Sequence, residues 1–375
     1  MKQLYIHCGL HKTGTTALQH ALSEKRQALL KHHFLYPKIG VPYQSVAQHN
    51  LAWQLNRDRR FQTGLGDWDK LFAQFKDFDG AMVISSEDFE TTLLKPSRWK
   101  AVIERAAKFE VQITFLIYLR EPKSYFESLY LELLKHGCGE EFINVFNSVM
   151  LSGKLSERES EYGFDYHQIK AAMSSIPNAV LVFRSYSDLI GNSVIEDFEH
   201  VLKIAGLLKV SGLATKTINV RKDLNYNLRL FARNRLWSWF GKKDLKAAFS
   251  AIDIICKQRQ CKLVMPEKLE NLFNKRFIKS IQFIEALQLK QVVSDMAIDD
   301  TKQSNDDSLL LVDMQRVFSF ESHLVIKQIA SLISHPDYIR DNSSVLVNKK
   351  IQEVVNTWWS WVTLSSRYGG IIKGD

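Results

Sequence analysis

Short apolar runs alternate with amphipathic stretches over the N-terminal half of the chain. The apolar runs have the length and the β-branched content of strands that are buried in a parallel sheet. They are Leu4–Cys8, Gly80–Ser86, Ile113–Leu119 and Ala179–Phe183. This alternation predicts an α/β fold, in which helices flank a central parallel sheet and the crossovers are right-handed.

Helical spacing follows the predicted strands. Leu18, Ala21, Leu22 and Leu29 are spaced for one face of a helix after the first strand, and Pro122 fits the first turn of a helix after the third. Further helical patterns cover residues 97–108 and 194–202. In contrast, we predict loops over residues 32–80 and 136–165, and we expect these loops to contribute to ligand specificity.

The rest of the chain is helical in pattern. We predict a core domain over residues 1–235, a helical part packed on it over 236–295, a polar linker over 296–308 and a helical C-terminal subdomain over 309–375. The subdomain contains the cluster Trp358, Trp359 and Trp361. We expect these rings to be buried against the body or a partner chain, with contact at a membrane interface as the alternative.

Composition limits the ligands and partners that we expect for this chain. The formal net charge of +9 suits an anionic ligand, and the apolar fraction of 45% is normal for a globular protein. Lys and Arg are spread along the chain without a zinc-finger, helix-turn-helix or RNP pattern, so nucleic acid is not an expected partner. The sequence makes no prediction of the oligomeric state.

The expected compartment is the cytoplasm. The four cysteines (Cys8, Cys138, Cys256 and Cys261) have neither zinc-site spacing nor a disulfide framework, and we expect reduced thiols. We expect no signal peptide, because strand residues begin almost immediately at the N-terminus. We expect no transmembrane segment, because the sequence contains no apolar run of about eighteen residues. Peripheral contact with the inner membrane surface is the alternative.

The turn after the first strand has the composition of an anion-binding site. It contains Gly9, Lys12, Gly14, Thr15 and Thr16 and leads directly into a helix. The N-terminus of a helix attracts anions through its free N–H groups and its dipole. Lys12 adds a positive charge, and the threonines add hydroxyl donors. A nucleotide P-loop has Lys directly after the second glycine, whereas Lys12 precedes Gly14.

A second candidate anion site follows the third strand. Arg120 stands at the end of that strand, and Ser128 stands about two turns into the next helix. A guanidinium fork pairs with two phosphate oxygens, and a hydroxyl can bind a third. After the fourth strand comes the segment Tyr186-Ser-Asp-Leu189.

Together these motifs resemble those of sulfotransferases that use 3′-phosphoadenosine 5′-phosphosulfate (PAPS). Lys12-Thr-Gly-Thr-Thr16 resembles their 5′-phosphosulfate loop, and Arg120 with Ser128 matches their Arg-x7-Ser arrangement for the 3′-phosphate. The resemblance covers roughly residues 1–235 and looks closest to bacterial enzymes of the surface-polysaccharide type, since Ala17 stands where the animal cytosolic enzymes have Trp. It implies a P-loop-like sulfotransferase fold and a carbohydrate or glycolipid acceptor.

The resemblance also implies residue roles. The residues expected to bind PAPS are His11, Lys12, Thr13, Gly14, Thr15, Thr16, Arg120, Ser128 and Tyr186. Lys12 and the N–H groups of residues 13–16 are expected to stabilise the charge on the leaving 5′-phosphate. No metal is expected.

Two residues are candidates for the general base. Glu87 ends the second strand, which we expect to lie between the two phosphate-binding strands. His49 lies in the segment 32–80, and an imidazole pKa suits a base near neutral pH. His11 is a third possibility, although orienting the loop is its expected role.

Two other functions compete with sulfuryl transfer. One is a nucleotide or small-molecule kinase with an atypical phosphate loop, for which Asp88 would have to bind Mg²⁺. The other is a non-catalytic glycan-binding protein on the same scaffold, since a fold alone does not establish activity.

Overall fold

The structure is a computed structural model. It describes residues 2–208 apart from 139, 141, 158–159 and 187–193, together with residues 230, 233, 234, 265 and 267–292. The predicted linker 296–308 and the predicted subdomain 309–375 with its tryptophan cluster lie outside the described residues, as does most of 236–295. The predicted domain boundaries therefore stay predictions.

The chain divides into two compact units. The first comprises Met1–Ser128, Ser148–Ile218 and Leu272–Asp299, and the second comprises Leu129–Asn147, Asn219–Asn271 and Asp300–Asp375. Every candidate site residue belongs to the first unit. In the second unit, the side-chain amide of Asn234 donates to the carbonyl groups of Leu134 (2.6 Å) and Cys138 (2.9 Å).

A five-stranded parallel sheet forms the centre of the first unit, which confirms the predicted α/β class. Its strands are β1 (Lys2–Gly9), β2 (Phe34–Leu35), β3 (Ala81–Ser85), β4 (Val111–Leu119) and β7 (Ala179–Ser185). The order across the sheet is β2–β3–β1–β4–β7, so β1 pairs with β3 on one side and with β4 on the other. An antiparallel hairpin consists of β5 (Lys154–Glu157) and β6 (Ser160–Gly163).

This order corrects one prediction. β3, the strand that precedes Glu87, does not lie between the two phosphate-binding strands: β1 and β4 are direct neighbours, and β3 lies on the other side of β1. β7 was predicted as a core strand, but among the described strands it lies at one edge of the sheet, and Val180 is 45% exposed. The order of strands in the chain does not determine their order in a parallel sheet, because crossovers can skip over a neighbour.

The helices have the following bounds. They are α1 (Thr15–Glu24), α2 (Arg26–Lys31), α3 (His49–Asn56), α4 (Trp68–Lys76), α5 (Lys100–Lys108), α6 (Pro122–Lys135), α7 (Phe142–Ser152), α8 (Tyr166–Ser174), α9 (Val194–Leu202), α10 (Glu267–Arg276) and α11 (Ile278–Val292). Helix α6 begins at Pro122, as predicted, because proline suits the first helical position.

Alternate residues of the central strands face two different helical layers. Leu116 and Tyr118 of β4 pack with Leu18 of α1 and Phe198 of α9. On the other face, the ring of Phe115 meets Trp99 edge-on at 4.7 Å. Both faces of β4 are therefore covered, which explains the nearly continuous apolar sequence of this strand.

The first predicted helix is interrupted. Leu18, Ala21 and Leu22 lie on α1, but that helix ends at Glu24 and Leu29 belongs to α2. All four side chains are buried in one core cluster, although Leu29 belongs to a second helix.

Residues 32–80 are not the loops that the sequence predicted. They contain β2, α3 and α4, and 136–165 likewise contains α7 and the β5–β6 hairpin. Trp68, Leu71, Phe72 and Phe75 have helical spacing and are buried on α4. The side chain of Asp67 caps that helix by accepting from the Lys70 N–H at 2.9 Å.

Candidate functional site

A tight turn joins β1 to α1 at the carboxyl end of the sheet. The carbonyl of Leu10 accepts from the N–H of Thr13 at 3.2 Å and from its hydroxyl at 2.7 Å. Gly14 precedes α1 with a φ of 72°, and Lys12 has a φ of 69°. Both Thr13 donors bond to the Leu10 carbonyl inside the turn, and the role of its N–H as an anion donor stays a prediction. The first-turn N–H groups of Thr15 and Thr16 have no acceptor within α1 and remain suited to that role.

Both glycines are required by close packing around this turn. A Cβ on Gly9 would lie 2.5 Å from Cγ2 of Thr15 and 2.8 Å from Oγ1 of Thr13. A Cβ on Gly14 would lie 3.0 Å from Cγ1 of Val194 and 3.2 Å from Cε2 of Tyr186. Tyr186 therefore lies against the turn, next to the start of α1.

We expect Gly9→Ala to destabilise the fold by about 1–3 kcal/mol, because the added methyl group overlaps the two threonines. Urea unfolding measures this change. Gly64→Ala is the matched control, since a Cβ on Gly64 meets no atom within 4 Å. Equal unfolding midpoints for the two variants would contradict the packing argument.

Arg120 connects the two predicted anion sites. Its Nη1 donates to the carbonyl of Lys12 at 2.9 Å and to the hydroxyl of Ser128 at 3.3 Å. Its guanidinium also lies 5.8 Å from the centre of the Tyr186 ring, and its own carbonyl accepts from the hydroxyl of Tyr166. The structure thus brings together Lys12, Arg120, Ser128 and Tyr186, which the sequence proposed separately.

An acidic turn follows β3 and lies at the same end of the sheet. A 3₁₀ turn covers Glu87–Thr92, and the side chain of Ser86 caps it by accepting from the Asp88 N–H at 3.1 Å. Oε2 of Glu87 accepts from the side-chain amide of Gln19 on α1 at 2.7 Å. Glu87 is therefore bonded to a neutral amide.

His49 begins α3 and contacts this acidic turn. Its Nδ1 lies 2.9 Å from Oγ of Ser86 and 3.4 Å from Oδ2 of Asp88. Asp88 is itself held, because Nε1 of Trp53 donates to the same carboxylate oxygen at 2.6 Å. The ring of His49 stacks on Trp53, with centroids 6.0 Å apart.

The His49–Asp88 pair alters both pKa values. Burial alone would lower the pKa of His49, but the hydrogen bond and charge of Asp88, with a contribution from Glu87, raise it above its usual value. Burial likewise opposes ionisation of Asp88, yet the contacts with His49 hold the pKa of Asp88 at about 2. In the sequence, Asp88 stands out only as a possible Mg²⁺ ligand, and no motif indicates its contact with His49.

His11 is bound to a second buried carboxylate, Glu90. Both the backbone N–H and Nδ1 of His11 lie 2.7 Å from Oε2 of Glu90. Tyr125 of α6 donates its hydroxyl to the other carboxylate oxygen. The sequence did not single out Glu90. The available signal was the group of acidic residues Glu87, Asp88 and Glu90, which follows an apolar strand.

His7 of β1 lies beneath the turn, and its pKa is shifted in the opposite direction from that of His49. Its Nδ1 lies 2.7 Å from Oγ of Ser85, and its ring meets Tyr118 and Phe198 edge-on. Complete burial without a carboxylate contact lowers the pKa of His7 to about 3, so this imidazole is neutral.

Comparison with known proteins gives two distant structural similarities. A sulfotransferase from Alicyclobacillus acidocaldarius is 18% identical, with 65% of this chain and 97% of that chain covered and a TM-score of 0.34. A structure of the PezAT chromosomal toxin–antitoxin system of Streptococcus pneumoniae is 6% identical, with 62% and 87% covered and a TM-score of 0.29. No family profile matches the chain, and no curated protein does. At these TM-scores neither similarity supports a function, which has to be argued from the residues themselves.

Two further properties concern only the part of the chain that the structure describes. No helix there is both long and apolar enough to cross a bilayer. Among the same residues, no group of three or more His, Cys, Asp or Glu side chains has the arrangement of a metal site.

Proposed function

We propose that this protein is a PAPS-dependent sulfotransferase that transfers a sulfuryl group to a carbohydrate hydroxyl. The observation that carries the proposal is the position of Arg120, whose guanidinium binds both the Lys12 carbonyl and the Ser128 hydroxyl. The turn before α1 and the start of α6 thus form two adjacent anion-binding elements. A nucleotide with phosphate groups at both its 3′ and 5′ positions suits such a pair.

The residues of the site fit this nucleotide. The N–H groups of Thr15 and Thr16, the hydroxyl of Thr16 and the ammonium of Lys12 would bind the 5′ end. Thr15 is 5% exposed, and its methyl group faces Gly9, so the partly exposed Thr16 is the better hydroxyl donor. Arg120 and Ser128 would bind the 3′-phosphate.

PAPS, when bound, supplies the sulfuryl group. Sulfuryl transfer resembles phosphoryl transfer, in which positioning and charge stabilisation contribute most of the rate. Lys12 would stabilise the negative charge that develops on the leaving phosphate, together with the N–H groups at the start of α1. The N–H groups are held by the tight turn, so they need little reorganisation during the reaction.

Contacts in the acidic turn favour His49 over Glu87 as the general base. Ser86 and Asp88 both contact Nδ1 of the imidazole, which leaves Nε2 to accept the proton of the acceptor hydroxyl. The His49 side chain is 17% exposed, so it is accessible to an acceptor. Glu87 instead accepts from Gln19, and this bond stabilises the carboxylate without orienting a base.

We expect His49→Gln to lower kcat about 10²- to 10⁴-fold, whereas Glu87→Gln lowers it less. The base acts when deprotonated, so activity should rise with pH through the pKa of His49, which Asp88 raises above its usual value. Asp88→Asn should move this rise to lower pH. Initial rates at saturating PAPS across pH 5–9 test the assignment, and activity that does not rise over this range would contradict the role of His49.

Calorimetric titration with adenosine 3′,5′-bisphosphate tests the function directly. We expect binding without Mg²⁺, and transfer of labelled sulfate from PAPS to a sugar in an acceptor screen. Selective binding of Mg-ATP would indicate a kinase, but Asp88 is bonded to Trp53 and contacts His49, so no contact favours that reading. Nucleotide binding without transfer to any acceptor would instead indicate a non-catalytic protein.

A further inference from the structure

We propose that Glu90 is a positioning residue that holds His11 against the phosphate-binding turn as a second cation beside Lys12. This inference rests on the proposed function. It goes further by adding a carboxylate that no motif contains, and by giving His11 a charge and a fixed orientation.

The burial of Glu90 calls for an explanation. Its side chain is 1% exposed, and a buried carboxylate is unfavourable unless donors and an opposite charge surround it. Among the described residues, its donors are the backbone N–H and the ring Nδ1 of His11, both at 2.7 Å, and the hydroxyl of Tyr125. Two of these described contacts therefore fix one residue of the turn.

These contacts determine how His11 can act. Since a carboxylate only accepts, Nδ1 of His11 is the donor in this pair, and Nε2 is the ring nitrogen left for a ligand. The His11 side chain is 17% exposed, and its ring meets Tyr162 edge-on at 5.5 Å. His11 precedes Lys12 directly, so both side chains belong to the same turn.

The groups facing His11 favour its charged form. Burial alone lowers the pKa, but the hydrogen bond and charge of Glu90, with the charges of Glu87 and Asp88, raise it to about 9. Among the described residues, Tyr162 also meets the ring, and Tyr125 contacts the other carboxylate oxygen of Glu90. At neutral pH the turn therefore presents an imidazolium as well as an ammonium.

Glu90 also connects the turn to α6. His11 is bonded to Glu90 and through it to Tyr125, while Lys12 is bonded to Arg120 and through it to Ser128. Tyr125 and Ser128 are three residues apart and lie on one face of α6. Adjacent residues of the turn are thus held to the same helix by two separate charged side chains.

The variants Glu90→Gln and His11→Gln test this arrangement. Glutamine keeps the shape of Glu90 and can still accept from the backbone N–H, but it removes the charge. Glu199→Gln is the matched control, because Glu199 is 3% exposed and accepts from the N–H groups of Gly206 and Leu208 away from the site. Circular dichroism establishes that each variant is folded.

The first measurement is the NMR titration of His11 without ligand. We expect a midpoint near 9 in the native protein and in Glu199→Gln. In Glu90→Gln the midpoint should fall to the ordinary value of about 6.5 or below. A native midpoint near 6.5, or an unchanged midpoint in Glu90→Gln, would overturn the inference.

The second measurement is the affinity for adenosine 3′,5′-bisphosphate at pH 8. Loss of one charge-assisted hydrogen bond should weaken binding about tenfold in Glu90→Gln and in His11→Gln. The double variant should bind like the single ones, because both substitutions remove the same cation. If the native protein binds the nucleotide and the variants bind it equally well, this inference fails and the proposed function stands. If the native protein does not bind the nucleotide, both the proposed function and this inference fail.

Discussion

Replacing Lys12 with methionine is expected to lower kcat about 10²- to 10³-fold, which is the loss seen when one preorganised donor to a developing charge is removed. Methionine has a similar length and can adopt the same backbone conformation, so the turn should keep its shape. The ammonium acts mainly on charge that develops during transfer, so KM should change much less than kcat. Turnover at saturating PAPS and the unfolding midpoint together measure this separation.

Lys31→Met is the control for the loss of a lysine. Lys31 is an exposed residue at the end of α2, away from the turn, and its replacement should leave turnover unchanged. Normal turnover by Lys12→Met would refute the role of Lys12. A large fall in stability would instead show that the turn depends on the lysine for its fold.

Replacing Arg120 with lysine is expected to weaken binding of adenosine 3′,5′-bisphosphate by about 2–4 kcal/mol, or about 30- to 1,000-fold. Lysine keeps the positive charge but lacks the planar fork that lets the guanidinium bind several acceptors at once. Here the fork contacts both the Lys12 carbonyl and the Ser128 hydroxyl. Calorimetry with the native and variant proteins measures the loss.

A second ligand separates the two possible effects of this substitution. Adenosine 5′-monophosphate lacks the 3′-phosphate, so its affinity should change little if Arg120 binds that group. Equal losses for both ligands would show that Arg120 acts only by shaping the turn. Arg105→Lys is the control, since Arg105 forms an exposed ion pair with Asp69 outside the site.

Local sequence order accounts for the parts of the site that could be predicted. Strand β1 runs directly into a glycine-containing turn and α1, and β4 runs directly into α6, so Lys12 and Arg120 had to lie at strand ends. In a parallel sheet these ends meet at one edge. The contact of Arg120 with Lys12 and Ser128 is consistent with that expectation.

The remaining contacts depend on the order of strands in the sheet. Because β3 lies next to β1, the acidic turn after β3 reaches His11 and His49. No periodicity relates Glu90 to His11, which are 79 positions apart. The helices between residues 32 and 80 were missed for a different reason, since their apolar spacing is present but lies among polar residues.

The backbone conformation of Lys12 is one that favours glycine over lysine. With a φ of 69°, Lys12 adopts a left-handed conformation that costs a side-chain-bearing residue about 1–2 kcal/mol and that glycine adopts freely. Glycine would therefore suit the fold better there. Under the proposed function, the chain gives up stability at Lys12 for a positive charge beside the phosphate-binding turn.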